Sequence, residues 1–95
     1  MGRRNKSGDD RLSGLSMKAK VKVTLKKGVL DPQGKAIEGA LSHLGFASVE
    51  HVRQGKYFEI DVAETDKSKA MSEVKAMCEK LIANTVIENY DIELA

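Results

Sequence analysis

His43, His51 and Cys78 are the side chains of this 95-residue sequence best suited to hold a metal or act as a nucleophile. A zinc site needs several Cys or His ligands converging on one ion, and no ligand-like spacing joins these three. His43 falls near the end of a predicted helix, where a positive imidazole is favourable. Cys78 sits beside Met77 and Leu81 on an apolar helix stripe, the setting of a buried, inert thiol. As the single cysteine it excludes an intrachain disulfide and suits a reducing compartment. Glu59 and Asp61, two apart on an open sheet face, read as cross-strand partners of lysines. An acid–base pair would need surroundings that split their pKa values. The residue types therefore predict no catalytic site and no metal site on this chain.

The segment Lys26–Lys35 (KKGVLDPQGK) is the other place to look for chemistry. It lacks the GxxxxGK[ST] spacing of a phosphate-cradling loop. A loop with lysines before a helix N-terminus can still meet an anion; solvated lysines at a strand end are the plainer reading. Asp31 can accept from the free first-turn N–H groups of a helix, and Pro32 has the φ of a first helical position. Those roles leave Val29, Leu30 and the Gln33-Gly34 pair without a duty in a strand–loop–helix connection.

The surrounding pattern supplies the elements that position this loop. Ala19, Val21, Val23 and Leu25 alternate with Lys18, Lys20, Lys22 and Thr24, the period of a half-buried strand. A helix is predicted from Pro32 to Leu44, with Ala36, Ile37, Ala40, Leu41 and Leu44 on one face and Gly45 ending it. Ser48–Gln54 and Lys56–Ala63 read as two strands joined around Gly55. A second helix is expected over Lys67–Ala83, capped by Thr65 or Asp66 and apolar along Ala70, Met71, Val74, Met77, Cys78, Leu81 and Ile82. Val86–Leu94 closes the chain as a strand.

This order, βαββαβ, predicts an α+β, ferredoxin-like fold: a four-stranded antiparallel sheet with two helices on one face. Charge selects the strand order. Lys20 and Lys22 face outward on the first strand, Glu59 and Asp61 on the third, Asp91 and Glu93 on the fourth. Opposite charges stabilise cross-strand neighbours, so an order 4-1-3-2 places the lysine strand between the acidic ones.

Composition divides the chain. Residues 1–16 are rich in Gly, Ser, Arg and Asp, with Leu12 and Leu15 as their only sizeable apolar side chains, and are expected to form a flexible N-terminal tail. Residues 17–95 are expected to form one domain. The net charge of +2 belongs to the tail, because residues 17–95 carry 12 basic and 12 acidic side chains. The pI of about 8.7 therefore gives no support for a nucleic-acid-binding face. The RNA-binding version of this topology also stacks bases on aromatic residues of its central strands, where this chain has Lys20, Lys22, Glu59 and Asp61. No stretch has the length and apolarity of a membrane span or a secretory signal. With no Trp and few aromatic residues, a core of Val, Ile, Leu, Ala and Met in so short a domain is marginal alone, which makes assembly with other chains an expectation.

The stretch VKVTLKKGVLDPQGKAIEGALSHLGF, followed by SVEHVRQGKYFEIDV, closely resembles the PurS family, the small subunit of phosphoribosylformylglycinamidine synthase. The resemblance covers about Lys18 to Leu94 and is most specific in Lys26–Gly34 and Val52–Lys56. Members usually begin near Met17, so residues 1–16 are a departure. The resemblance implies a non-catalytic subunit of a cytoplasmic, ATP- and glutamine-dependent C–N ligase complex in purine biosynthesis. It implies a homo-oligomer, dimer or tetramer, that bridges a large synthetase subunit, PurL, and a glutaminase subunit, PurQ. Glutamine-derived ammonia is passed there to formylglycinamide ribonucleotide. No cofactor is implied on this chain; ATP and Mg²⁺ are expected on the large subunit.

Val29, Leu30, Pro32 and Gln33, with Arg53 and Lys56, are the candidate partner-interface residues: apolar loop residues close to charged groups that can fix register. The alternative for Val29 and Leu30 is a hydrophobic staple that caps the domain's own helix. The last strand, at a sheet edge, is a candidate for pairing with a second copy, although Asp91 and Glu93 blunt it. The rival class is an ACT-like regulatory domain, which shares the topology and binds amino acids. An acylphosphatase-type enzyme would need an arginine where the loop after the first strand offers Lys26 and Lys27.

Overall fold

The first strand, β1 (Met17–Leu25), buries Ala19, Val21 and Val23 and turns its lysines the other way, as its alternation requires. In the computed structural model, which describes residues 16–95, β1 is the centre of a three-stranded sheet. It pairs antiparallel with β2 (Gly55–Val62) on one side and β3 (Glu88–Leu94) on the other. The register sets Lys18 opposite Asp61, Lys20 opposite both Glu59 and Glu93, and Lys22 opposite Asp91. The lysine row thus lies between two acidic rows, and a slip of one residue would turn every apolar side chain of β1 to solvent.

One helix covers the apolar face. α2 (Lys67–Met77) begins at Asp66, whose carboxylate accepts from the Ser68 and Lys69 N–H groups. It seats Ala70 and Val74 over β1 and β3. The helix predicted to run on to Ala83 instead widens into a π-helical turn, Cys78–Ile82, closed by the Ala83 N–H on the Cys78 carbonyl at 2.9 Å. Such a turn holds one residue more than an α-helical turn and shifts the phase of the side chains along it. Cys78 and Ala83 are buried, while Leu81, expected on the inner stripe, is 86% exposed. Tyr90 of β3 donates its hydroxyl to Glu79 at 2.6 Å and ties the turn to the sheet.

Two expectations require correction. Among the described residues the sheet has three strands, not four, and Ser48–Gln54 joins no ladder. Two of its N–H groups go instead to carboxylates, Val52 to Glu38 and Gln54 to Asp31. Nor do two helices lie on one face. α1 (Pro32–His43) stands off the sheet along its length, and of its residues only Gly34 is buried. Its predicted inner face is open, with Ile37 and Leu44 exposed. The helix ends as expected: Gly45 takes a φ of +97°, its N–H bonds to Ser42, and the Phe46 N–H bonds to Leu41. The tail expected over residues 1–16 lies, Ser16 apart, outside the described residues. Among those described, no helix is long and apolar enough to cross a membrane.

Candidate functional site

The loop that joins β1 to α1 is built around Asp31. Its Oδ1 accepts the Gly34 N–H at 2.9 Å, the expected helix cap. Its Oδ2 accepts the Gln54 N–H at 2.7 Å, a contact with a segment 23 residues away. The two main-chain donors, Gln54 first and then Gly34, hold the carboxyl below its usual range. Asp31 is only 8% exposed. The close approach explains Gly34: a Cβ there would come within 2.5 Å of the Val52 carbonyl oxygen and 2.6 Å of Asp31 Oδ2. Glu38, about two turns further along the chain, repeats the device. It accepts the Val52 N–H at 2.9 Å and faces His51 Nδ1 at 3.2 Å and Lys35 Nζ at 3.6 Å. The Val52 N–H, ahead of Lys35, lowers its pKa.

The six candidate interface residues gather at this point. Pro32, Gln33 and Lys56 line a concavity of about 370 Å³. Val29, Leu30 and Arg53 line a second, of about 260 Å³. Asp31 borders both. Three of the six are engaged within the chain. Arg53 donates to the Leu25 carbonyl at 3.0 Å and the Lys26 carbonyl at 3.4 Å. Gln33 accepts from the Gln54 side-chain amide. Lys56 pairs with Glu88 at 3.4 Å, whose carboxylate also accepts the Asn84 N–H at 2.7 Å. Leu30 is different. It is 71% exposed, and the position it would staple to on α1 is Lys35, so it does not cap the helix. Val29 is half-buried, with its N–H on the Lys26 carbonyl.

Sequence reasoning missed Glu38, His51 and Gln54. The signal for them was Gly34, a residue that costs a helix roughly 1 kcal/mol relative to Ala and that no turn demands. Such a glycine marks a place where another stretch of backbone comes close. Chemically, the arrangement offers no nucleophile and no converging acid–base pair. It is a loop held at Asp31 and Arg53 that presents Leu30 and Pro32 at the surface.

The family model described as "PurS: Phosphoribosylformylglycinamidine (FGAM) synthase" matches residues 18–95. The chain belongs to the PurS family. The PurS subunit of phosphoribosylformylglycinamidine synthase from Bacillus subtilis is 49% identical over 77 residues, 81% of this chain and 90% of that protein. The crystal structure of PurS from Methanocaldococcus jannaschii superposes with a TM-score of 0.76 at 44% identity, covering 83% of this chain and 95% of the other. A chain of the PurLQS structure from Thermotoga maritima gives a TM-score of 0.78 at 32% identity, covering 84% and 98%. The PurS match begins at the start of β1 and takes in every element described above.

Proposed function

We propose that this chain serves as the small, non-catalytic subunit of a cytoplasmic phosphoribosylformylglycinamidine synthase. In that role it joins the large synthetase subunit PurL and the glutaminase subunit PurQ. It supports transfer of glutamine-derived ammonia to formylglycinamide ribonucleotide. ATP and Mg²⁺ act on the large subunit, and this chain contributes surface and geometry. The observation that carries the reading is the likeness, over nearly the whole fold, to a chain of the PurLQS structure.

Within that reading the Asp31 loop is the docking edge toward the larger subunits. Its backbone is already held by Asp31, Arg53 and the Gln33–Gln54 pair, so docking orders little that is free. Leu30 is the exposed anchor, with Pro32 beside it. The test is reconstitution: the chain added to PurL and PurQ should raise glutamine-dependent turnover and co-migrate with them. No complex and no stimulation would reject the assignment, and heat of binding to free amino acids would turn it toward an ACT-like module.

A further inference from the structure

Charge is unevenly spread over the folded part. Residues 26–56 carry five Lys or Arg against three Asp or Glu, whereas residues 57–95 carry four against nine. The basic excess centres on the Asp31 loop, where Lys35, Arg53 and Leu30 line the concavity of about 260 Å³ together with Asp31. Two of the three acids are spent inside the chain. Asp31 Oδ1 and Oδ2 accept the Gly34 and Gln54 N–H groups, and Glu38 Oε2 accepts the Val52 N–H with His51 beside it. The cations keep donors to spare. Arg53 commits Nη2 to the Leu25 and Lys26 carbonyls, while its Nε and Nη1 donate to nothing among the described residues. Lys35 Nζ meets Glu38 at 3.6 Å with its side chain 61% exposed. Lys26 and Lys27, in the turn that the Val29 N–H closes on the Lys26 carbonyl, have no ion pair among the described residues.

We propose that the subunit which covers Leu30 also presents a carboxylate side chain, which enters this concavity and accepts hydrogen bonds from Lys35 and Arg53. Leu30 and the two cations border one hollow, so adjacent partner side chains make the apolar contact and the charged contact that fixes register. At about 260 Å³ the hollow is smaller than the roughly 300–1,000 Å³ of clefts that enclose a whole small molecule; a single side chain fits it better. Arg53 is already pinned by two carbonyls and Lys35 by Glu38, so a carboxylate orders little that is free. Lys26 and Lys27 carry the positive field outward and steer an acidic surface toward the loop. The acidic excess of residues 57–95 repels the same surface, so charge selects which part of the chain docks. The inference rests on the docking role proposed above and adds the chemistry of the partner's surface.

Binding of the full chain to the PurL–PurQ pair, read by biolayer interferometry at several salt concentrations, tests it. Wild-type affinity should fall at least about fivefold between roughly 50 and 300 mM NaCl, as screening of a charge contact requires. Lys35→Glu should weaken binding at least about tenfold, and Lys35→Arg, which keeps the charge, by less than about threefold. Lys27→Glu, at an exposed side chain with no ion pair to lose, should slow association about threefold or more; it decides the matter should Lys35→Glu fail to fold. Lys67→Glu, at the exposed start of α2, should bind as the wild type does. A complex whose affinity is unchanged by salt and by both charge reversals overturns the inference and leaves the docking role standing, whereas no complex at all overturns both. Nuclear magnetic resonance of the chain alone supplies the second arm: inorganic phosphate should give no saturable shifts at Lys35 and Arg53 below about 10 mM. Saturable shifts there that Lys35→Glu abolishes would make the hollow a site for a free anion and overturn the partner carboxylate.

Discussion

Asp31 and Gln54 lie 23 residues apart in sequence and 2.7 Å apart in space, the carboxylate Oδ2 accepting the main-chain N–H. The same carboxylate starts α1 through Gly34. One side chain therefore fixes both the exit from β1 into the helix and the entry into β2. The loop with the exposed Leu30 hangs between these two points, which is how a connection without regular structure keeps one shape.

That relationship predicts an acid-sensitive fold. Main-chain donors hold Asp31, Glu38 and Glu88 below their usual values of 3.8, 4.5 and 4.5. A carboxylate with a depressed folded-state pKa contributes stability above its unfolded value and loses it as pH falls through the folded one. Urea titrations should show stability level near neutrality and falling below about pH 4, the range in which such groups take up protons. Asp31→Asn should lower the plateau and flatten the acid limb. An acid limb of unchanged slope in that variant would remove Asp31 from the account.

Gly34 tests the same junction sterically. A Cβ would sit 2.5 Å from the Val52 carbonyl oxygen, a backbone atom with no freedom to swing aside. Gly34→Ala should destabilise by about 1–3 kcal/mol, the usual cost of overpacking, although alanine favours helices by roughly 1 kcal/mol. Chemical denaturation gives the sign directly. A stabilised variant would mean that the 52–54 segment is not held against α1.

How far the sequence carried these conclusions depended on whether a signal was local. The alternation of β1, the outward charges, the Gly45 helix end and the cap at Asp31 are decided by neighbours a few residues away, and each was legible; the cap of α2 was narrowed to Thr65 or Asp66, and the structure has Asp66. The failures arose where a distant partner decides. Ser48–Gln54 has a strand-like pattern, yet Val52 and Gln54 spend their N–H groups on Glu38 and Asp31. The stripe of α1 is apolar as its spacing says but uncovered within the chain, since amphipathicity shows that a face needs a partner and not which one. Leu81 departs from its expected place because a π-helical turn breaks the period with no mark in residue type. At the Asp31 loop the surplus of apolar residues was legible, but the internal engagement of Arg53, Gln33 and Lys56 was not.

The central lysine row carries a further prediction. Lys20 stands opposite Glu59 on one side and Glu93 on the other. Lys20→Glu would set three acids abreast, with two like-charge cross-strand pairs, each costing up to about 1 kcal/mol. The loss should shrink as salt screens the exposed face. Thermal melts at low and high ionic strength would show both effects. A loss that does not change with salt would point to packing of the lysine stem as the cause.

Tyr90 and Glu79 connect the sheet to the π-helical turn and give it a readout. The hydroxyl donates to the carboxylate at 2.6 Å, and this bond, with some burial, pushes the Tyr90 pKa up to about 12. A raised folded-state pKa means that the stabilisation is complete below the unfolded value of 10.0 and is lost as pH rises through about 12. Both tyrosines are raised, Tyr57 by burial and its bond to Glu59, and ultraviolet titration should show Tyr90 as the step that ionises near the point where the fold gives way in base. Tyr90→Phe should abolish that late step. It should also speed amide exchange of Ala83, whose N–H closes the turn on the Cys78 carbonyl, because the turn then loses its bond to β3. If Ala83 exchanges at the wild-type rate in the variant, the turn is held by the burial of Cys78 and Ala83 alone, and the Tyr90 hydroxyl has no structural part in it.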